Sequence, residues 1–241
     1  MTDCSLLIKE VFTENNLPDL LNKDKTDKLS LLISNMLEVN KVMNLTSITD
    51  KEEIILKHIA DSATVIKYIA KNAKLLDVGT GAGFPALPIA VLRDDVSVYA
   101  LDSTAKKLKY IDNSAVLLGL SNIKTVSGRA EELGKSVNYR EKFDVVTARA
   151  VASLNVLTEL CVPFVKLGGC FLSMKGSSAV EEIALAKSGI AQLGGSKFED
   201  VEFSLTYKEN THNRHIVLSK KIKNTPECFP RPYARISKKP L

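Results

Sequence analysis

A glycine-rich loop preceded by an aspartate is the segment of this chain best suited to binding a ligand. In Asp77-Val-Gly-Thr-Gly-Ala-Gly-Phe84, three glycines occupy alternate positions after an apolar run, residues 75–78. Glycine adopts positive φ readily and, having no Cβ, lets a ligand approach the backbone closely. The apolar run predicts a buried strand, and residues 86–92 predict a helix. A glycine loop leading from a strand into a helix is where α/β sheets bind nucleotide-like ligands.

The spacing of the glycines separates this loop from the dinucleotide-binding fingerprint. That fingerprint is Gly-x-Gly-x-x-Gly, whereas the third glycine here comes one residue early and Asp77 lies near the strand end. A carboxylate there would repel a pyrophosphate but suits the ammonium group of a ligand that contains an amino acid. The loop therefore resembles motif I of S-adenosylmethionine-dependent methyltransferases. Two alternatives remain open from the loop alone: a site for NAD or another nucleotide, and a purely structural turn.

A second acidic residue follows at the end of the next predicted strand. Residues 96–102 alternate apolar and polar side chains and end at Asp102. In a doubly wound sheet, a carboxylate at this position can accept hydrogen bonds from ribose hydroxyl groups. It can equally cap the helix that begins near Thr104. Because NAD and S-adenosylmethionine share the ribose, Asp102 favours an adenosyl ligand without choosing between them.

The remaining elements predict an α/β fold. Two amphipathic helices, at residues 27–42 and 51–70, come first. Five strand–helix units follow, and a hairpin with strands at residues 201–205 and 215–220 ends the pattern. This order predicts an open, mostly parallel seven-stranded sheet of Rossmann-like type with an N-terminal helical extension.

The predicted fold implies three regions and one place for a ligand. The regions are an N-terminal helical region (1–70), a Rossmann-like domain (71–222) and a basic, proline-rich tail (223–241). In such a sheet, ligands bind beyond the carboxyl ends of the strands, where the strand order reverses. The glycine loop, Asp102, residues 128–131 and Arg149 all fall at predicted strand ends, so we expect them to form one site.

Composition narrows the protein class. The chain has 241 residues, a net charge of +5 and no tryptophan. No apolar run approaches the length of a membrane span, and the N-terminus lacks the layout of a signal peptide. The four cysteines show no CxxC spacing, which favours reduced thiols over disulfides or zinc. We therefore expect a cytoplasmic protein without a membrane or metal partner, and a monomer.

The positive charge is concentrated at the C-terminus. Residues 208–241 carry nine Lys/Arg against two Glu, and four prolines follow residue 222. Prolines predict an extended tail rather than a helix. Basic side chains with Phe229 and Tyr233 suit contact with RNA phosphates and bases, which makes Arg231 and Arg235 candidate RNA contacts. A solubilising, disordered tail remains the alternative.

Several further segments make the resemblance specific. The chain resembles the bacterial 16S rRNA guanine-N7 methyltransferase family, also called glucose-inhibited division protein B, over nearly its whole length. His58, Asp61-Ser62 and the basic tail belong to this resemblance. Its main segments are Asp77-Val-Gly-Thr-Gly-Ala-Gly-Phe-Pro85, Leu101-Asp-Ser103, Gly128-Arg-Ala-Glu131, Thr147-Ala-Arg-Ala150, Met174-Lys-Gly176 and Asn44-Leu-Thr-Ser47.

The resemblance implies an enzyme that methylates N7 of one guanosine of small-subunit (16S) rRNA with S-adenosylmethionine. It implies that Ala130 and Glu131 line the adenine, that Arg149 lies at the cofactor and that Asn44 lies near the mouth of the site. Lys175, at a strand end, is a candidate contact to an RNA phosphate. The residues expected to bind the cofactor are Asp77, Gly79, Gly81, Phe84, Asp102, Ala130, Glu131 and Arg149.

The chemistry of guanine N7 agrees with the residues present. N7 has a free lone pair and no proton, so its attack on a sulfonium methyl group needs geometry and charge control rather than a general base. No catalytic base is predicted, and Arg149 is the one candidate for a catalytic role. His58 lies on an apolar helix face, which favours a buried, hydrogen-bonded histidine over a catalytic one.

Two other functions remain open on the sequence. One is methylation of a small molecule or protein, which deletion of residues 224–241 would leave intact. The other is a non-catalytic ribosome-binding protein on the same fold. The intact cofactor residues argue against the second.

Overall fold

The computed structural model describes residues 4–241 and places seven strands in one sheet. In chain order the strands are β1 (Lys74–Val78), β2 (Ser97–Asp102), β3 (Ile123–Ser127), β4 (Phe143–Arg149), β5 (Val165–Lys175), β6 (Glu199–Tyr207) and β7 (Asn210–Lys220). They lie in the order β3-β2-β1-β4-β5-β7-β6. Strands β1 to β5 are parallel, and β7 is antiparallel to both β5 and β6. The predicted α/β fold is confirmed.

Helices cover both faces of this sheet. In the described residues they are α1 (Cys4–Glu14), α2 (Lys23–Met43), α3 (Lys51–Ile54), α4 (Asp61–Ala63), α5 (Ala86–Leu92), α6 (Ala105–Leu117), α7 (Ala130–Leu133), α8 (Leu154–Cys161), α9 (Ala179–Gln192) and α10 (Tyr233–Lys238). A π-helical segment, Ile55–Ala60, joins α3 to α4. Covering both faces buries β1 almost completely, which is why its sequence is apolar except at Lys74, where it begins, and at Asp77.

The N-terminal helices differ in detail from the prediction. Helix α2 starts at Lys23 rather than 27 because the Asn22 side chain caps it, accepting from the Lys25 backbone N–H at 2.9 Å. The helical stretch expected over residues 51–70 is present, but it is not one regular α-helix. The chain there forms α3, the π-helical segment, α4 and a short 3₁₀ turn. Such π-helical insertions change the helical register and often occur at functional sites.

The hydrophobic core runs from the N-terminal helices onto the sheet. Buried side chains of α1 and α2 belong to the same cluster as those of α5 and one sheet face. The opposite face packs against α8 and α9 and includes Ile236 of α10. The division into regions at residues 70 and 222 stays a prediction.

Two C-terminal predictions need correction. The hairpin is longer than expected, since β6 and β7 pair up to Tyr207 and Asn210 and leave a two-residue turn. The tail is not simply extended: α10 forms directly after Pro232, which is its N-cap residue. Burial of Ile236, which is 0% exposed, holds this helix against the body of the protein.

Candidate active site

A cavity of about 540 Å³ opens at the carboxyl ends of β1, β2 and β4. Its walls include residues from the glycine loop, the end of β2, the start of α7 and the end of β4. Seven of the eight residues expected at the cofactor line it: Gly79, Gly81, Phe84, Asp102, Ala130, Glu131 and Arg149. We call it the first cavity. It lies where the strand order reverses, between β1 and β4.

Backbone hydrogen bonds fix the glycine loop. The N–H groups of Gly79 and Thr80 donate to the Leu101 carbonyl oxygen at 2.8 and 3.0 Å, which ties the loop to β2. Gly79 has φ +71°, and a Cβ on it would lie 2.5 Å from Cγ2 of Val151. Only glycine therefore fits without moving the opposite wall of the cavity.

Asp102 binds the glycine loop and lines the cavity. One carboxylate oxygen accepts from the Gly81 N–H at 3.0 Å, and the other accepts from the Thr104 N–H at 2.8 Å. The capping alternative is not confirmed: Thr104 is the N-cap of α6, and the bond from its N–H to Asp102 closes a turn just before the helix. A carboxylate offers about four acceptor directions, so these two bonds leave acceptor capacity for ribose hydroxyl groups.

Asp77 lies elsewhere than expected. Its side chain is completely buried and does not line the first cavity. One carboxylate oxygen accepts from the Thr147 hydroxyl at 2.9 Å, across to β4. Desolvation raises the pKa of Asp77 to about 6, and the Thr80 and Thr147 hydroxyls oppose this rise. The other carboxylate oxygen has no hydrogen-bond partner among the described residues, and the expected role of Asp77 at the cofactor stays a prediction.

Arg149 is held at the end of β4 by three groups from the N-terminal helical region. Nη1 donates to the Lys57 carbonyl oxygen and to the Asp61 carboxylate, both at 2.9 Å, and Nη2 lies 3.2 Å from Nδ1 of His58. The guanidinium carbon also lies 5.5 Å from the centre of the Phe84 ring. Arg149 is therefore fixed in one orientation before any ligand binds.

His58 is neutral and fully hydrogen-bonded. Because arginine only donates, Nδ1 must accept from Arg149, and Nε2–H then donates to the Thr46 hydroxyl oxygen at 3.0 Å. The ring stacks on Phe84 with centroids 4.9 Å apart. Burial, aided by Arg149, lowers the pKa of His58 to about 4. Both nitrogens are occupied, which agrees with the predicted structural role.

A second cavity, of about 640 Å³, adjoins the first. The two share His58, Arg149, Ala150 and Val151 as a common wall. Ala150 has φ +54°, a conformation that costs a non-glycine residue energy and that often occurs at functional sites. The rest of the second cavity includes five charged side chains: Lys57, Asp61, Lys175, Glu182 and Arg214.

The residues expected to contact the substrate differ in their exposure and position. Lys175 lines the second cavity, but its side chain is 8% exposed and Nζ binds the Glu182 carboxylate at 2.7 Å. Asn44 ends α2 in the left-handed conformation and is exposed beyond both cavities. Arg235 is exposed on α10.

Arg231 requires a correction. Its guanidinium pairs with the fully buried Glu159 at distances down to 2.5 Å, so in this structure it is not presented to a partner. From composition, Arg231 was predicted to be exposed like the other basic residues of the tail. The sequence does not show that Glu159 is buried on α8 and pairs with it.

Several site residues escaped the sequence reasoning. Tyr233 lines the first cavity although it belongs to the C-terminal tail. Arg214 binds the Asp61 carboxylate at 3.2 Å and so shares that carboxylate with Arg149. The spacing of His58 and Asp61, three residues apart on one helical segment, is the local signal that could have indicated this network.

The first cavity suits S-adenosylmethionine. Its volume is in the usual range for small-molecule sites, roughly 300–1,000 Å³. The backbone approach at Gly79 and the carboxylate of Asp102 suit an adenosyl ligand. Fold and cavity together define a class I S-adenosylmethionine-dependent methyltransferase.

Comparisons with known proteins specify the family. The model of the GidB family, rRNA small subunit methyltransferase G, matches residues 25–217. A ribosomal RNA small subunit methyltransferase G of Acetivibrio thermocellus is 45% identical over 223 residues, which cover 92% of this chain and 90% of the relative. Its counterpart from Clostridium novyi is 44% identical over 204 residues, covering 84% and 83%. The chain therefore belongs to the rRNA small subunit methyltransferase G family.

Solved structures agree on the fold. The structure of TYW2 from M. jannaschii, in complex with AdoMet, superposes with a TM-score of 0.51 at 15% identity and covers 68% of this chain and 76% of that protein. At this identity the likeness concerns the fold alone. Within residues 4–241, no helix is long and apolar enough to cross a membrane.

Proposed function

We propose that this protein transfers the methyl group of S-adenosylmethionine to N7 of a guanosine in 16S rRNA of the small ribosomal subunit. The observation that supports this most is the pair of adjoining cavities. The first suits an adenosyl ligand, the second is rich in charged side chains, and they meet at His58, Arg149, Ala150 and Val151. A methyl donor in one cavity and a base in the other would face each other at this wall.

The residues of the first cavity would hold the cofactor. The glycine loop offers its backbone, Asp102 offers acceptors for the ribose, and Ala130 and Glu131 lie where the family resemblance expects the adenine. S-adenosylmethionine supplies, when bound, an electrophilic methyl group on a positively charged sulfur. Asp77 contributes by fixing the strand and loop from the interior.

We place the target base in the second cavity because of its polar groups. Guanine presents the acceptors O6 and N7 on one edge and N–H donors on the edge that pairs with cytosine. Lys175 and Arg214 can donate, and Glu182 can accept. All three line the cavity.

Arg149 retains donors for a ligand. Of its five N–H groups, two on Nη1 and one on Nη2 are used by Lys57, Asp61 and His58. The Nε–H and the second Nη2–H have no acceptor within the part of the chain that the structure describes. They are available to guanine O6, to a phosphate or to the cofactor carboxylate. Donation to N7 itself would block the lone pair that must attack.

The reaction proposed here needs no base, and the site offers none at the wall. His58 lies at this wall beside Arg149, and both of its nitrogens are already hydrogen-bonded. Its pKa of about 4 keeps it neutral at neutral pH. The protein would therefore act by positioning and by electrostatics, with Asp61 balancing part of the charge of Arg149 and Arg214.

Further aspects of the proposal concern the surroundings of the site. Arg235 and Asn44 are exposed and can contact RNA outside the cavities. We propose that the enzyme works in the cytoplasm as a monomer and without a metal ion.

The test is methyl transfer from labelled S-adenosylmethionine to 16S rRNA and to 30S subunits that lack the modification. N7-methylguanosine is then mapped through its chemically induced strand cleavage. One new cleavage site with incorporated label is the expected result. Cofactor binding without RNA labelling would instead favour another substrate or a non-catalytic ribosome-binding protein.

Arg149→Ala is the matching variant. We expect it to abolish transfer while the protein remains folded. Arg93→Ala is the control, because Arg93 is likewise paired with an aspartate, Asp95, and lies outside both cavities. Activity of Arg149→Ala equal to that of Arg93→Ala would remove Arg149 from the mechanism.

A further inference from the structure

The C-terminal segment, residues 224–241, is built into the protein. Arg231 pairs with Glu159, which is 0% exposed and therefore depends on this cation for its charge. Ile236 is buried against the same side of the sheet. A Cβ on Gly189 of α9 would lie 2.8 Å from Leu241, so the chain end also packs closely.

Two further cations fasten the start of this segment. Arg140 donates to the carbonyl oxygens of Thr225, Pro226 and Phe229 at 2.6, 3.1 and 2.8 Å. The fully buried ammonium of Lys221 donates to the Thr225 hydroxyl at 2.6 Å and lies 3.1 Å from the Glu141 carboxylate. A segment held by so many contacts has a defined position rather than the freedom of a tail.

This position brings Tyr233 to the first cavity. Tyr233 begins α10, which packs on α8, and it lines the cavity together with Leu160 of α8 and Ala130 of α7. Pro230 packs on the end of α7, where a Cβ on Gly134 would lie 3.1 Å from its ring. Tyr233 thus lies on the side of the cavity formed by α7, and the residue is 42% exposed.

We propose that Tyr233 contacts the adenine base of the cofactor and that residues 224–241 form a wall of the cofactor site. This inference rests on the proposed function, since it assigns the α7 side of the cavity to adenine. An aromatic ring offers a π face to a base, a contact that is not sensitive to base identity and contributes appreciably to binding. The basic segment then serves the cofactor site whether or not its exposed cations also contact RNA.

The arrangement has a consequence for experiments on the tail. Deleting residues 224–241 would leave Glu159 as an unpaired buried carboxylate and would open the first cavity. Loss of activity in such a deletion would therefore not distinguish RNA binding from cofactor binding. A single exposed side chain, Tyr233, is the better target because its removal leaves the buried contacts in place.

The experiment measures binding of S-adenosylhomocysteine by calorimetry to the full-length chain and to Tyr233→Ala, Tyr233→Phe and Lys238→Ala. S-ribosylhomocysteine, which lacks the adenine, is the second probe. We expect Tyr233→Ala to weaken S-adenosylhomocysteine binding about tenfold and Tyr233→Phe to retain most of the affinity. Lys238→Ala, on the same helix but outside the cavity, should bind like the parent protein. Affinity for S-ribosylhomocysteine should be the same in all four proteins.

Three results would overturn the inference. Unchanged S-adenosylhomocysteine affinity in Tyr233→Ala would remove Tyr233 from the site. Equal weakening of both probes would show that the substitution disturbs the cavity rather than an adenine contact. If the parent protein bound no S-adenosylhomocysteine, the cofactor site and the proposed function would fail as well, a result distinct from the first two.

Discussion

The two adjoining cavities are built in opposite ways. The first depends largely on backbone: Gly79 and Thr80 bind the Leu101 carbonyl, and the Gly81 N–H binds Asp102. The second depends on charged side chains that hold one another, with Asp61 between Arg149 and Arg214. The same enzyme thus presents a loop whose shape comes from glycine and a cavity whose shape comes from ion pairs.

This difference fits what each cavity is proposed to bind. A cofactor common to many methyltransferases is held by a loop that the fold itself provides. A target base must be distinguished from other bases, and hydrogen-bonding side chains achieve this more selectively than apolar contact does. The second cavity also joins the N-terminal region to three strands. Asp61 belongs to α4, whereas Arg149, Lys175 and Arg214 belong to β4, β5 and β7.

After the loss of Arg149 itself, the largest effect is expected from breaking the network of the second cavity at its centre. In Asp61→Ala, Arg149 and Arg214 lose their shared carboxylate and repel each other. Because small misplacements of a positioning group can cost on the order of 100-fold in rate, we expect methyl transfer to 30S subunits to fall about 100-fold. Binding of S-adenosylhomocysteine should change little.

Asp95→Ala is the control for this prediction. Asp95 also pairs with an arginine, Arg93, but it lies outside both cavities. Its loss should leave transfer near the parental rate. A similar loss of activity in the two variants would mean that Asp61 acts only through general stability, and the contrast between the cavities would weaken.

A smaller effect is expected from a methyl group placed in the backbone-built cavity. Gly79→Ala brings a Cβ to within 2.5 Å of Val151 on the wall that the two cavities share, at φ +71°. The matched control is Gly119→Ala, at φ +62° with no atom within 4 Å of the added Cβ. Both substitutions carry the left-handed backbone cost of about 1–2 kcal/mol.

The difference between these two variants isolates crowding of the site. We expect S-adenosylhomocysteine to bind Gly79→Ala about tenfold more weakly, roughly the effect of 1.4 kcal/mol, and to bind Gly119→Ala like the parent. Calorimetry measures both affinities, and thermal melting measures the loss of stability that the left-handed backbone causes in both variants. Equal affinities would show that Val151 moves aside without cost.

The same contrast explains how far the sequence could predict the molecule. The first cavity rests on signals that are close together in the chain, namely alternate glycines and carboxylates at strand ends. Seven of the eight residues predicted at the cofactor therefore line it, Asp77 being the exception, whereas Tyr233 lines it without having been predicted there. Asp77 differs from the other seven because spacing does not reveal the direction of a side chain on a central strand, and this side chain is buried in the interior. Its role at the cofactor stays a prediction.

Long-range pairing accounts for what was missed. Nothing local links Arg231 to Glu159, 72 residues earlier, or Arg214 to Asp61, 153 residues earlier. The π-helical segment at Ile55–Ala60 was also absent from the prediction, since the periodic apolar pattern of residues 51–70 is that of a continuous α-helix. Long-range ion pairs and π-helical insertions depend on tertiary packing, so local sequence propensity does not predict them.

A smaller effect, on binding to 30S subunits, is expected from replacing Lys175 of the second cavity. Its ammonium is nearly buried and bound to Glu182, so we expect it to read the base rather than a phosphate. Lys175→Met should weaken binding to 30S subunits severalfold without changing the salt dependence, because a paired, buried cation releases few counterions. A contact to a single-stranded phosphate would instead reduce the logarithmic salt slope by about 0.7.

Binding titrations over a range of salt concentrations decide between these outcomes for Lys175. Lys187→Met, on α9 and exposed, provides the matched loss of one positive charge outside the second cavity. It should leave both the affinity and the slope close to those of the parent.

The smallest effect on activity is expected at Asp77, whose effect should appear in stability. Burial raises its pKa from 3.8 to about 6, so between these values the folded protein binds more protons than the unfolded chain. Stability contributed by this group is therefore lost as the pH rises from about 4 to 6, at about 1.4 kcal/mol per pKa unit, and the loss is constant at higher pH.

Asp77→Asn removes this titration. Measured by urea unfolding without cofactor, its stability relative to the parent should rise by about 3 kcal/mol between pH 4 and 7. A difference that did not depend on pH would show that Asp77 is not the buried, titrating carboxyl group behind the glycine loop.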